Sequence, residues 1–108
     1  MNNMFPEFIE KLTQSVVGEN DSQEWTIFTL STCQWCHKCK RWLNERNVKY
    51  RYVDLDKIDP SEKSKVLTFL RETYKPERIS YPFVVCDDEF VVGYNPNKYE
   101  ELINHGGN

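Results

Sequence analysis

The sequence predicts an α/β fold: a four-stranded mixed sheet flanked by helices, with an additional helix at the N-terminus. Three observations point to it. The apolar run Trp25-Thr26-Ile27-Phe28-Thr29-Leu30 passes through Ser31-Thr32 into Cys33-Gln34-Trp35-Cys36, which opens a basic amphipathic segment. An alternating run, Val48 to Leu55, follows, so this part reads as strand, helix, strand, with parallel strands joined by a right-handed crossover. Two further apolar runs, Phe83-Val84-Val85-Cys86 and Glu89-Phe90-Val91-Val92, meet at Asp87-Asp88 and read as a β-hairpin.

Taken in order, Phe5, Phe8, Ile9, Leu12 and Val16 recur at the spacing of an amphipathic helix, with Pro6 acceptable near its start. Gly18 to Gln23 is a polar connector to the first strand, Trp25 to Leu30. The cysteine-bearing helix stops near Asn44 to Asn47. After the second strand, Asp59-Pro60-Ser61-Glu62 supplies an N-cap, a helix-compatible proline and a capping-box glutamate. The helix they start carries Val66, Leu67, Phe69, Leu70 and Tyr74. Lys75 to Tyr81 is a loop, Pro82 begins the third strand, and a last helix follows Asn95-Pro96 with Tyr99, Leu102 and Ile103 turned inward.

A length of 108 residues suits one domain, with residues 1–23 as N-terminal helix and connector and residues 24–104 as the core fold. The 39% apolar and 29% charged content marks a globular chain, expected to be monomeric. A net charge of −3 gives no general attraction to nucleic acid or acidic membranes, and no run has the length of a membrane span. Met1 to Asn20 lacks the basic and apolar regions of a secretory signal, so a cytoplasmic location is expected. In a reducing compartment four cysteines are more often catalytic or metal-binding than a disulfide framework.

The chemistry is expected at Cys33 and Cys36. A thiol attacks a disulfide only as its thiolate, so the site must favour the anion. A helix starting at the motif places Cys33 at its N-terminus, where unpaired N–H groups and the helix dipole favour negative charge. Lys38, Lys40 and Arg41 add positive charge over the next two turns. Cys36 lies one turn further in, on the same stripe as Cys39 and Leu43, and is expected to be more buried. Cys33 is therefore the candidate nucleophile and Cys36 the candidate resolving thiol of a two-electron dithiol–disulfide exchange. Two cysteines at this spacing also suit half of a zinc site.

On these residues the chain resembles the thioredoxin-fold superfamily, on its glutaredoxin side. The resemblance covers roughly residues 24–104 and rests on Cys33-Gln34-Trp35-Cys36 after the first strand, Tyr81-Pro82 before the third, and Gly93 after the fourth. It implies a cis Pro82 facing the cysteines, and a substrate-binding surface formed by Trp35, Tyr81, Pro82, Gly93 and Tyr94. It also implies reduction of protein disulfides without a cofactor. Glutaredoxins usually carry Pro-Tyr between the cysteines, a basic residue shortly before the first, Thr-Val before the proline, and Gly-Gly followed by an acidic pair. Here these stretches read Gln34-Trp35, Leu30-Ser31-Thr32, Ser80-Tyr81 and Val92-Gly93-Tyr94-Asn95-Pro96. The Gly93-Tyr94-Asn95-Pro96 stretch is similar instead to the NrdH-type redoxins. That likeness implies a thioredoxin-reductase-type flavoenzyme as the electron source, with glutathione the alternative, and ribonucleotide reductase as a candidate substrate.

Cys33, Cys36, Cys39 and Cys86 also admit a second function, a metal- or iron–sulfur-binding carrier with Cys33 as a ligand. Cys39 and Cys86 are expected to be small buried core residues, and His37 an exposed helix residue.

Overall fold

The computed structural model describes residues 5–106. Its elements in chain order are α1 (Glu7–Glu10), β1 (Gln14–Val16), β2 (Asn20–Thr29), α2 (Gln34–Glu45), β3 (Val48–Asp54), a 3-10 turn (Leu55–Lys57), α3 (Pro60–Tyr74), β4 (Phe83–Cys86), β5 (Glu89–Val92) and α4 (Pro96–Gly106). The strands form one mixed sheet in the order β1-β3-β2-β4-β5. β2 and β3 run parallel with Trp25 opposite Tyr50, whereas β2 and β4 run antiparallel with Phe28 opposite Phe83. The hairpin forms as expected, with Phe83 opposite Val92 and Asp87 in a left-handed conformation at the turn.

Strand alternation divides the apolar residues between two faces. On one face Trp25, Ile27, Tyr50, Val84 and Cys86 pack with Cys39, Trp42 and Leu43 of α2 and with Tyr99 and Leu102 of α4. On the other, Phe28, Val53, Phe83 and Val85 pack with Phe5, Ile9, Leu55, and Val66 and Leu70 of α3. Both layers are continuous and buried. Asp59 takes the N-cap position of α3 and Pro60 its first turn, but the Asp59 side chain makes no cap hydrogen bond.

The N-terminal segment departs from the sequence-based expectation. The helix is a single turn, Glu7–Glu10, and the chain then extends into β1, a fifth strand paired antiparallel with β3 through Gln14 opposite Tyr52. The apolar stripe is split between the two sides of the sheet: Phe5 and Ile9 join the α3 layer, whereas Val16 packs on the α2 and α4 layer. A continuous helix would present all of them to one side. Strand pairing also gives partners to the outer edge of β3, which would otherwise expose unpaired backbone groups. Arg51 on β3 locks the arrangement by pairing with Glu10 and donating to the Thr26 hydroxyl at 3.3 Å.

The predicted connector, Gly18 to Gln23, is also largely strand, since β2 begins at Asn20. A register irregularity between Asn20 and Trp25 sets this polar extension apart from the buried run. The Asn20 N–H donates to the Asn47 carbonyl at 2.8 Å, and its side chain donates to the Arg46 carbonyl at 2.6 Å, fastening the strand to the end of α2. Gly18 lies against the same turn. A Cβ there would sit 2.5 Å from the Val48 carbonyl carbon and 2.6 Å from Asn47 O and Lys49 N, all backbone atoms. Gly18→Ala is therefore expected to lower stability by about 1–3 kcal/mol, read as a shift of the urea midpoint. An unchanged midpoint would show that the chain at Gly18 does not approach Asn47–Lys49 this closely.

Candidate functional site

The sheet topology gathers the site. β2 ends at Thr29, and antiparallel pairing of Phe28 with Phe83 brings Pro82 to that same end. Pairing of Phe83 with Val92 then brings Gly93 beside Pro82. The Leu30–Cys33 loop, the Tyr81–Pro82 loop and the Gly93–Asn95 turn thus meet beyond one edge of the buried core.

At the first of these, Cys33 is the N-cap of α2, with extended backbone (φ −87°, ψ 118°). Its sulfur accepts the Cys36 backbone N–H at 3.1 Å, so one of the helix's unpaired amides points at the thiol. The first turn of α2 carries no acidic residue, so no side chain competes for this positive end. Cys33 is partly exposed, whereas Cys36 is fully buried. Burial, reinforced by its hydrogen bond with Cys33, pushes the Cys36 thiol up to about 12. One sulfur is presented to solvent on an anion-stabilising helix end, and the other is held protonated behind it.

The cations of α2 are placed differently from the expectation. Lys40 turns away, 3.6 Å from Asp54 and 3.9 Å over the Tyr52 ring. Lys38 lies 4.8 Å over Trp35. Lys40 is thus paired with Asp54 rather than turned towards Cys33.

Asp56, not singled out in the sequence, and His37 hold the loop before Cys33. The Ser31 hydroxyl donates to Asp56 at 2.5 Å and the Ser31 N–H donates to the same carboxylate at 2.9 Å. These bonds keep Asp56 below the usual carboxylate range. From the other side, His37 Nε2 lies 2.9 Å from the Ser31 carbonyl, as a donor through the ring N–H. His37 is exposed on α2 as expected, but it is tied to the loop rather than free.

The expected binding residues divide into linked groups. The Tyr81–Pro82 peptide is cis. The Pro82 carbonyl accepts the Gly93 N–H at 2.7 Å, and Gly93 has the positive φ of +90° that the turn requires. Tyr94 stacks on Trp35, with ring centroids 5.9 Å apart and planes 29° apart, and Trp35 is 55% exposed. Trp35 and Tyr94 are thus stacked beside Gly93, whose N–H ties them to the buried Pro82. Tyr81 packs partly into the α3 layer and is only half-buried. Burial raises its hydroxyl above the ordinary range, outweighing the opposing effect of Arg71.

Cys39 and Cys86 are buried, as expected. Cys39 packs beneath α4, and Cys86 lies at the far end of β4, where its sulfur accepts the Gln23 amide at 3.3 Å. Cys86 lies four residue steps along the chain from Pro82, a rise of about 13 Å. Among the described residues no group of three or more His, Cys, Asp or Glu side chains is placed to hold a metal ion.

Comparison with known proteins agrees with this geometry. Residues 25–91 match the profile of the Glutaredoxin family. The gene 56 protein of Mycobacterium phage D29 is 32% identical over 81 residues, spanning 74% of this chain and 82% of that protein. The crystal structure of the glutaredoxin from Methanosarcina mazei Go1 superposes with a TM-score of 0.70 at 28% identity, covering 83% of this chain and 86% of that one. Methanoredoxin from Methanosarcina acetivorans gives 0.68 at 29% identity, covering 79% and 87%.

Buried thiols give the fold a pH signature. Burial is the main cause that pushes Cys36, Cys39 and Cys86 from 9.0 up to about 12. The unfolded chain releases these protons near the ordinary value and the folded chain does not. Their contribution to stability is thus fully present below about 9 and is lost as pH rises towards about 12. Cys39→Ala is expected to make the alkaline loss of urea stability shallower. An identical slope in the variant would show that Cys39 does not titrate in this way.

Proposed function

The chain belongs to the glutaredoxin family, and from that premise we propose that it reduces protein disulfides through Cys33 and Cys36. Family and fold support thiol–disulfide oxidoreductase chemistry as a class. The observation that carries the assignment of roles is the 3.1 Å bond from the Cys36 N–H to a partly exposed Cys33 sulfur, with the Cys36 thiol buried behind it.

In this mechanism the Cys33 thiolate attacks one sulfur of the substrate disulfide. A Cys33–substrate disulfide forms, the substrate S–S bond breaks, and the second substrate sulfur leaves as a thiolate that takes a proton. Cys36 then loses its proton and attacks the Cys33 sulfur, forming the Cys33–Cys36 disulfide and releasing the first substrate sulfur. Two electrons and two protons pass to the substrate. The Cys33 sulfur is among the causes that hold the Cys36 proton in place. In the mixed disulfide Cys33 no longer carries charge, so the second step is favoured once the first has occurred.

Trp35 and Tyr94 form the apolar platform beside the nucleophile. An extended substrate segment pairs with the backbone of Tyr81 before Pro82, in the manner of strand addition, and Gly93 keeps the opposite rim low. The electron source is a thioredoxin-reductase-type flavoenzyme in the cytoplasm, with ribonucleotide reductase among the substrates. This choice is supported by the Gly93-Tyr94-Asn95-Pro96 stretch and by the loop before Cys33. Where a basic residue would receive a glutathione carboxylate, Ser31 is instead bonded to the Asp56 carboxylate.

The test is reduction of insulin disulfides by the purified protein, with electrons from such a flavoenzyme or from glutathione and its reductase. Turnover is expected with the flavoenzyme, and turnover with glutathione alone would overturn the donor assignment. Cys33→Ser is expected to abolish turnover and Cys36→Ser to accumulate a mixed disulfide through Cys33. Equal trapping by both variants would overturn the assigned roles.

A further inference from the structure

We propose that Tyr99 is the positioning residue of this site: from the core beneath α4 it holds the Gly93–Tyr94 turn, and so keeps Tyr94 stacked on Trp35. The proposal rests on the reading of Trp35 and Tyr94 as the substrate platform.

Sequence places Tyr99 one turn into α4. Asn95 caps that helix, its side-chain oxygen accepting the Lys98 N–H at 3.2 Å, and the Tyr99 N–H donates to the Asn95 carbonyl at 3.0 Å. The helix start that follows the site thus turns Tyr99 back beneath it. The side chain is fully buried. Its ring meets Trp42 edge-on at 5.3 Å, Trp25 at 6.1 Å and Tyr94 at 6.0 Å. Such packing fixes the ring from three sides and with it the position of the hydroxyl oxygen.

A buried phenol must place its O–H on an acceptor. Here the hydroxyl donates to the Gly93 carbonyl at 2.6 Å. Gly93 is thereby held at both ends, its N–H on the Pro82 carbonyl at 2.7 Å and its C=O on Tyr99. That second bond decides where the next residue goes. Gly93 has φ of +90° and nothing within 4 Å of a Cβ position, so no side-chain packing restrains the turn at this point. Tyr94 leaves the turn between Tyr99, which it meets at 68°, and Trp35, on which it stacks at 29°. Tyr99 touches neither thiol of the Cys33–Cys36 pair by hydrogen bond, although its hydroxyl lies against the Cys39 thiol. It acts through Gly93 and Tyr94 alone.

Tyr99→Phe keeps the ring and removes only the hydroxyl. In the reduced variant, NMR contacts between the Tyr94 and Trp35 rings are expected to weaken, a measurement that needs no activity. With insulin as substrate, KM is expected to rise about two- to tenfold, the range of one net hydrogen bond, with kcat unchanged. Cys39→Ala, which removes the neighbouring thiol and leaves the Gly93 bond, is expected to move neither readout. In a Tyr94→Ala background the further change Tyr99→Phe is expected to leave KM where Tyr94→Ala set it.

Unchanged ring contacts in Tyr99→Phe would overturn the proposal whatever the activity. So would a KM effect that persists undiminished in the Tyr94→Ala background. Failure of the wild-type protein to reduce insulin would count against the proposed function instead, and the ring contacts would still decide the role of Tyr99.

Discussion

The hydrogen bond from the Cys36 N–H to the Cys33 sulfur is the interaction on which the rest of the site depends. It exists because β2 stops at Thr29 and α2 begins at Gln34, leaving Cys33 at the junction with an extended backbone. That geometry gives one sulfur to solvent and a helix N-terminus, and buries the other a turn deeper. The asymmetry between two chemically identical side chains is thus a consequence of where a strand hands over to a helix. Moving the helix start by one residue would remove it.

The surroundings serve that junction. Asp56 and His37 hold Ser31 from opposite sides, which fixes the approach to Cys33. Antiparallel pairing of β4 with β2 and β5 brings Pro82 and Gly93 to the same end of the sheet. Beneath them Tyr99 links the core to the Gly93–Tyr94 turn, so the aromatic platform is supported from inside rather than by its own exposed contacts. Of the positive side chains of α2, Lys40 is drawn to Asp54 and Lys38 lies on Trp35.

What was legible in the sequence follows a physical division. Patterns confined to one element could be read directly: the apolar run into Cys33-Gln34-Trp35-Cys36, Pro60 at the start of α3, and the hairpin at Asp87-Asp88. The burial of Cys36 and Cys39 followed from helical spacing, because a stripe at that period faces one core. The N-terminal stripe misled for the complementary reason. Phe5 and Ile9 face one side of the sheet and Val16 the other, an arrangement with the same spacing as a helix but needing a strand. Pairings between distant residues left no local mark. Ser31 meets Asp56 across 25 positions and Arg51 meets Glu10 across 41, and neither partner stands out in its own neighbourhood. Tyr99 carried a signal only as an inward apolar position, and its hydroxyl gained meaning once Gly93 was placed above it.

Whether the fold makes Cys33 the single attacking sulfur is decided by alkylating the reduced native protein with less than one equivalent of iodoacetamide near neutral pH and locating the label by peptide mass spectrometry. Label is expected on Cys33, with Cys36, Cys39 and Cys86 modified only after unfolding. Comparable early labelling of Cys36 would contradict this, since a buried and protonated thiol cannot compete with a partly exposed one on a helix N-terminus.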